Sequence, residues 1–331
     1  MRVVVSIPVH ENIKVIANQI ENFKCFIEGV YIVLHVSQSF DKYDDLVSLF
    51  HKDRHVIINP IRLKTQWGDI VEPHISNYKY VSQVMEFDYF VLHASNDMYI
   101  KSGFKEYIQN YDAGFNIRKI VNKDSHWWPG NAAQKDGYLH RIMNRCGQTM
   151  IIATQVESSF YKKEIMAKIV ETIDSVERKP EDNLVYTREE IFFSTIASNY
   201  VDWSRIGKIT TFSEVHRFDR IVWKVRDITR LIYRVLGRFF ISQEQYYRFE
   251  EKCNDFLFKS GFYKTSVSTV KRILHGDKKY IKHNSFLNDG SGTFQLYEDY
   301  IFSVKRVERI IDDKLRKYIT RIGKYEETIR D

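Results

Sequence analysis

"RVVVSIPVHEN" (residues 2–12) decides the architecture. The run Val3 to Ile7 is short, β-branched and closed by Pro8, which reads as a strand buried on both faces, the kind that builds parallel sheets. A Rossmann dinucleotide site requires glycines directly after such a strand, so that backbone can approach a pyrophosphate closely. Pro8, Val9, His10 and Glu11 stand there instead, which argues against NAD.

The pattern outward from this strand alternates. Residues 11–28 carry Ile13, Ile16, Ile20, Phe23 and Ile27 at helical spacing. "VYIVLHVS" (30–37) reads as a second buried strand, 41–52 as a short helix and "HVIINP" (55–60) as a third strand. Residues 70–86 read as a helix leading into the strand "FDYFVLHA" (87–94). Such β-α-β alternation predicts an α/β fold: a mostly parallel, Rossmann-type sheet flanked by helices. Ligands of these sheets bind at the carboxyl ends of the strands, here "PVHEN", "HVSQS" and "ASND".

Residues 113–160 read as irregular and include "SHWWPGNAAQKDG" (125–137). A helix is expected at about 160–177. In "TREEIFFSTI" (187–196), Thr187 with Glu190 three positions on forms a capping-box signal. Beyond 212 the periodicity turns helical. Ile221, Val225, Ile228, Ile232, Val235 and Phe239 share one stripe, with Arg220, Lys224, Arg226, Arg230, Arg234 and Arg238 largely on other faces. Two regions are therefore expected: 1–212 holding the nucleotide site, and a mainly helical 213–331 that completes the site or meets a membrane or partner. The stretch 217–240 reads either as a helix lying on a membrane surface or as a packed helix with a solvated basic face.

Charge narrows the partners only slightly. Fifty Lys and Arg against 43 Asp and Glu leave +7, an excess that favours anionic partners without choosing among them. The three cysteines, Cys25, Cys146 and Cys253, have no zinc or disulfide spacing and suggest a reducing compartment. The amino-terminal run is a strand rather than a signal peptide, and no apolar run approaches the roughly 18 residues of a membrane span. A cytoplasmic protein, or one peripheral to the inner membrane face, is expected.

There is no Gly-rich phosphate loop, HExxH motif or Cys/His cluster. Nucleotide binding without such a loop is typical of sugar-nucleotide transferases. Four segments carry a closer likeness: "VSIPVHENIKVIANQI…VYIVLHVS", "TQWGDIVEPHISNYKYV" (65–81), "FDYFVLHASNDMYIKSG" (87–103) and "REEIFFSTI" (188–196). Together they resemble the core-2/I-branching β-1,6-N-acetylglucosaminyltransferase family, which also includes peptide xylosyltransferases. The resemblance covers residues 1–200. Trp67 and Gly68 match its Trp-Gly segment, and Glu190 falls on its catalytic glutamate. Ser37, Asn96 and Tyr99 depart from its Asp, Gly and Pro. The resemblance implies a GT-A-type fold, inverting transfer from a nucleotide sugar, and no strict need for a divalent metal.

The residues bear on that implication. A metal-dependent site offers paired carboxylates beside the diphosphate, because hard divalent cations take oxygen ligands. "ASNDMY" offers Asp97 alone, with Ser95 and Asn96. A metal-free enzyme offsets diphosphate charge with Lys and Arg, and Arg205, Lys208, Arg217 and Arg220 supply candidates, Arg217 lying in "HRFDR".

The candidate donor-binding residues are thus Val9, His10, Ser37, Trp67, Ser95, Asn96, Asp97 and Arg217. Trp127 and Trp128 are candidates to stack on an acceptor sugar, and Glu157 to bind an acceptor hydroxyl. Glu190 is either a general base of ordinary or slightly raised pKa or a capping glutamate. Ser95-Asn96-Asp97 is either a ligand site or a strand-end turn with Asp97 capping the next helix. His35 reads as buried.

The donor expected is a UDP-linked sugar, N-acetylglucosamine among the candidates, and the acceptor a glycan or lipid-linked glycan, as in lipopolysaccharide or capsule synthesis. Two rivals remain: a metal-dependent GT-A transferase using Asp97, and a basic non-catalytic protein that binds nucleic acid or membrane.

Overall fold

The computed structural model describes residues 1–10, 12–65, 68, 70–120, 128–213, 265–276 and 299–330, with short pieces between 228 and 295. The opening strand is β1 (Val3–Val9), buried along its whole length. It pairs in parallel with β2 (Tyr31–Val36) and, on its other edge, with β4 (Tyr89–Leu92). β3 (Val56–Asn59) continues the parallel run beyond β2. The order of the large described sheet is β10-β6-β9-β4-β1-β2-β3. Here β6 is Ala113–Gly114, β9 is Phe160–Lys162 and β10 is Ile206–Gly207. Only β9 runs antiparallel to its neighbours. The expected mostly parallel sheet is what the chain forms.

Period-two alternation divides the core between the two faces. Val3, Val5, Ile7 and Val9 pack with Ile16, Ile20 and Phe23 of α1 (Ile13–Phe26) and with Leu46 and Phe50 of α2 (Tyr43–Phe50). Val4, Val33, Phe90 and Leu92 face α3 (Val71–Val84) on the other side. That face also receives α6 (Gly137–Cys146), α7 (Lys163–Asp174) and α8 (Phe192–Ala197). Two shorter helices, α4 (Phe104–Ile108) and α5 (Trp128–Ala133), fill the links. Part of the region expected to be irregular instead pairs β7 (Arg118–Ile120) with β8 (Ile151–Ala153).

One buried polar chain crosses the α3 face. Ser6 Oγ lies 2.8 Å from His74 Nδ1, and Asn77 Nδ2 donates to Ser6 Oγ and to Val33 O. Asn59 Nδ2 donates to Ser76 Oγ and Asn77 Oδ1. Burial holds the His74 imidazole down at about 3. His35, buried as expected, accepts from the Leu63 amide and sits at about 4, mainly through burial.

Segments from the two sides of residue 212 pair with one another. β14 (Ser303–Val304) lies between β11 (Thr211–Phe212) and β5 (Met98–Tyr99), joining a late segment to the loop after β4. β12 (Tyr280–Lys282) and β13 (Thr293–Gln295) form a separate hairpin. Met98, Ile100, Phe212, Ile301 and Val304 share a third core with α9 (Val267–Leu274) and α10 (Lys314–Arg330). α10 is tied to α1: Asn18 Nδ2 donates to Thr320 Oγ1, and the buried Arg316 donates to Asn18 Oδ1. No described helix is long and apolar enough to cross a membrane. Most of the amphipathic stretch 217–240 lies outside the described residues; Ile228, Leu231, Ile232 and Val235, which are described, are exposed.

Candidate active site

Chain order reverses at β1. The chain proceeds to β2 and β3 on one side, then returns to β4 on the other. Loops leaving two such strands part in opposite directions and open a crevice beyond their carboxyl ends. A cleft of about 660 Å³ opens there. Pro8 and His10 border it after β1, and Ala94, Ser95 and Asn96 after β4. Glu157 enters from the turn before β9, Glu189 and Glu190 from the turn before α8, and Lys305 to Arg309 from the chain after β14.

The strand-end cluster Ser95-Asn96-Asp97 is divided between cleft and core. Ser95 and Asn96 line the cleft; Asp97 is fully buried. Asp97 Oδ2 accepts from the Ala94 amide and lies 2.9 Å from His93 Nδ1, whose Nε2 meets the Tyr99 hydroxyl at 3.0 Å. Gln19 of α1 donates to the carbonyls of Ala94 and Asp97. Asp97 therefore closes its own turn. It neither faces the cleft nor caps α4, whose N-cap is Gly103. Burial raises its carboxyl above the ordinary range against the pull of His93.

The carboxylate wall is held from behind. Arg188 and Glu190 bound a 3-10 turn, and α8 starts only at Phe192. The expected capping box does not form: Thr187 Oγ1 donates to Glu190 Oε2 at 2.9 Å, and no side chain caps a backbone amide there. Arg188 Nε and the Tyr186 hydroxyl both donate to Asp136 Oδ2, while Asp136 Oδ1 caps α6 at the Tyr138 amide. This buried pair fixes the start of the turn from which Glu189 and Glu190 line the cleft. Gly68 braces the same turn at φ +77°, where an added Cβ would meet Tyr186 O at 2.8 Å.

The basic wall comes from the far end of the chain. Backbone bonds from Lys305 N to Phe212 O and from Val307 N to Asn96 O lay residues 305–309 across the mouth of β4. Arg309 donates to Ser95 Oγ at 3.2 Å. Lys305 Nζ reaches Glu157 Oε1 at 2.7 Å, both side chains at most 10% exposed. Arg306 and Ser158 are the non-glycine residues with positive φ, at 65° and 68° among the described residues. Each such residue costs about 1–3 kcal/mol. Both are chain neighbours of the Glu157–Lys305 pair, so local strain is concentrated where the two walls meet.

The two carboxylates have been driven apart. Burial pushes Glu157 up, but the Lys305 ammonium prevails and holds it below the ordinary range. Glu190 is raised to about 7: burial and the Glu157 charge outweigh Lys305, Arg306 and the Thr187 hydrogen bond. A carboxylate near 7 is matched to proton transfer at neutral pH, and paired carboxylates of divergent proton affinity mark acid–base sites.

His10, Ser95, Asn96, Glu157 and Glu190 thus meet in one cleft. Val9 and Ser37 do not line it: Val9 packs into the α1 face, and the buried Ser37 turns its hydroxyl to Ser39, which does line the cleft. Trp67, Trp127 and Arg217 lie outside the described residues, and only the backbone of Trp128 is described. Of the named cations, Arg205 pairs with Asp112 away from the cleft, and Arg220 lies outside the described residues. Lys305, Arg306 and Arg309 escaped sequence reasoning. "SVKRVERI" (303–310) carries them as a short basic run, the one signal that marks them. Among the described residues, no group of three His, Cys, Asp or Glu is placed to hold a metal ion.

No family model and no curated protein matches this chain. Among solved structures it is similar to S. aureus TarS in complex with UDP, at 15% identity and a TM-score of 0.38, over 63% of this chain and 57% of that one. An active-site mutant of LgtC aligns over 98% of this chain and 96% of that one, at 6% identity and a TM-score of 0.42. The mannosyltransferase PcManGT from Pyrobaculum calidifontis, in complex with GDP-Man and Mn2+, gives 10% identity and 0.31 over 50% and 46% of the two chains. The chain thus spans under two thirds of the TarS chain it matches.

Proposed function

We propose that the protein is an inverting glycosyltransferase of GT-A type, acting on a nucleotide-sugar donor and a hydroxyl of a glycan. The observation that carries this reading is Glu190: one carboxylate near neutrality, in a cleft at the topological switch point that also presents Lys305, Arg306 and Arg309. The cations suit a diphosphate, and the carboxylate suits removal of one proton. The sequence resemblance to the core-2/I-branching family points to the same glutamate.

In this mechanism Glu190 accepts the proton of the acceptor hydroxyl as its oxygen bonds to the anomeric carbon. The bond from that carbon to the diphosphate oxygen breaks on the opposite face. The electron pair leaves with the nucleoside diphosphate, whose growing charge lies against Lys305, Arg306 and Arg309. Those three cations take the place of a divalent metal. His10 and Ser39, at the ends of β1 and β2, border the side for base and ribose, and Ser95 and Asn96 face the sugar. The donor is UDP-linked, with N-acetylglucosamine the first candidate. The acceptor belongs to a surface polysaccharide or glycoconjugate, reached at the inner membrane face through 217–240.

A thermal-shift screen of UDP, GDP, CMP and their sugars, each with and without EDTA, tests the reading. A shift for one nucleotide class that survives EDTA is expected. A shift that EDTA abolishes and Mn2+ restores would return the site to metal-dependent chemistry. The absence of any shift would remove the transferase reading.

A further inference from the structure

Lys305 has one ammonium and two claimants. Its Nζ is already bound to Glu157 Oε1 at 2.7 Å, yet it lines the cleft where, on the reading above, a diphosphate settles. Glu157 Oε2 is itself buried with no hydrogen-bond partner among the described residues. We propose that Lys305 is shared between Glu157 and the donor diphosphate, and that donor binding therefore takes up a proton onto the Glu157/Glu190 carboxylate pair.

Charge counting leads there. A nucleotide sugar brings two negative charges on its diphosphate diester. Facing Glu190 are Glu189 on its own turn, Glu157 from the turn before β9, and Lys305, Arg306, Glu308 and Arg309 from the segment after β14, with His10 across the cleft after β1. Among the described residues the cleft thus holds four carboxylates against three Lys and Arg side chains before the donor arrives. Each increment of Lys305 charge spent on phosphate is withdrawn from Glu157, and a buried carboxylate deprived of its partner protonates rather than remain charged. The same withdrawal removes the main cation holding Glu190 down. The two glutamates interact, so the proton belongs to the pair. It comes from solvent and goes to a carboxylate oxygen; no other reagent is consumed. Lys305 is thereby a positioning residue: it sets the charge shared by Glu157 and Glu190 according to whether the donor is present, and the single proton taken up leaves one carboxylate of the pair available as base.

The test is calorimetric titration with UDP-N-acetylglucosamine, without acceptor, in PIPES and in ACES at pH 7; GDP-mannose serves as second probe. Neither sugar nucleotide titrates near this pH, so the difference in heat between buffers counts protons taken up by the protein. About half a proton or more per donor is expected, with affinity weakening as pH rises from 7 to 8, by up to about tenfold per proton linked. Glu157→Gln is expected to bind the donor several-fold more tightly, because Lys305 is released to the phosphate, and to lose at least half of the uptake. Donor binding with no uptake, or uptake unchanged in Glu157→Gln, overturns this inference and leaves the transferase reading intact. Failure of both probes to bind overturns both.

Discussion

Glu190 and Glu157 are the same residue type in one cleft, and they end in opposite states because, among the described residues, only Glu157 of the two has a cation in contact. Lys305 holds Glu157 ionised; burial without an equal partner carries Glu190 to about 7. A general base works only when deprotonated. The value of kcat/KM, which reports ionisations of the donor-free enzyme, is therefore expected to fall about tenfold per pH unit below about 7. Glu190→Gln is expected to lower kcat by about 10²–10⁴-fold and to leave the nucleotide-induced thermal shift in place. Turnover within a few-fold of wild type would dismiss Glu190 as the base. Glu190 was visible in the sequence as a glutamate after a threonine before an apolar run. Its proton affinity was not, because that depends on Glu157 and Lys305, which are far away in the chain.

At the level of elements, the turn carrying Glu190 depends on two contacts from elsewhere. Gly68 comes against Tyr186 so closely, and at so positive a φ, that Gly68→Ala both strains the backbone and drives the two segments apart. A loss of about 1–3 kcal/mol by urea unfolding is expected, with a raised KM for the donor. Asp136→Asn strips Arg188 of its buried counter-charge, and breaking such a pair costs about 3–5 kcal/mol. A melting temperature unchanged by that substitution would show that the pair does not support the turn. The sequence drew attention to Gly68 only through the Trp-Gly resemblance. Nothing in it showed that the partner would be Tyr186, because close approach between loops leaves no periodic trace. The capping-box pattern at Thr187 misled for a related reason. The Asp136–Arg188 pair pins the chain into a 3-10 turn, and the α-helix starts beyond it.

For the whole molecule, the helices are spread over two faces of one sheet, and a polar chain is sealed beneath it at His74. Its imidazole is neutral in the folded protein down to about 3 and protonates near 6.5 once unfolded, and His35 behaves alike down to about 4. Below 6.5 the unfolded chain therefore binds more protons than the folded one, and stability falls with falling pH. Urea midpoints are expected to decline steadily from pH 7 to pH 4, and His74→Asn is expected to flatten that decline. An equal decline in the variant would assign the acid sensitivity to other groups.

The α/β alternation and the central place of β1 were determined by the sequence alone. Burial on both faces writes an unbroken apolar run into a strand, and a helix writes its period into the residues beside it. The same pattern pointed to the carboxyl ends of those strands, where the cleft opens. Only the tertiary structure decided that Asp97 turns inward to His93 while Ser95 and Asn96 face the cleft. It also decided that Lys305, Arg306 and Arg309 line the cleft, while Arg205 pairs with Asp112 instead. Those choices rest on β14 inserting between β5 and β11, its pairing with β5 spanning some two hundred residues. Local periodicity records which face of an element is buried, but not which distant segment buries it.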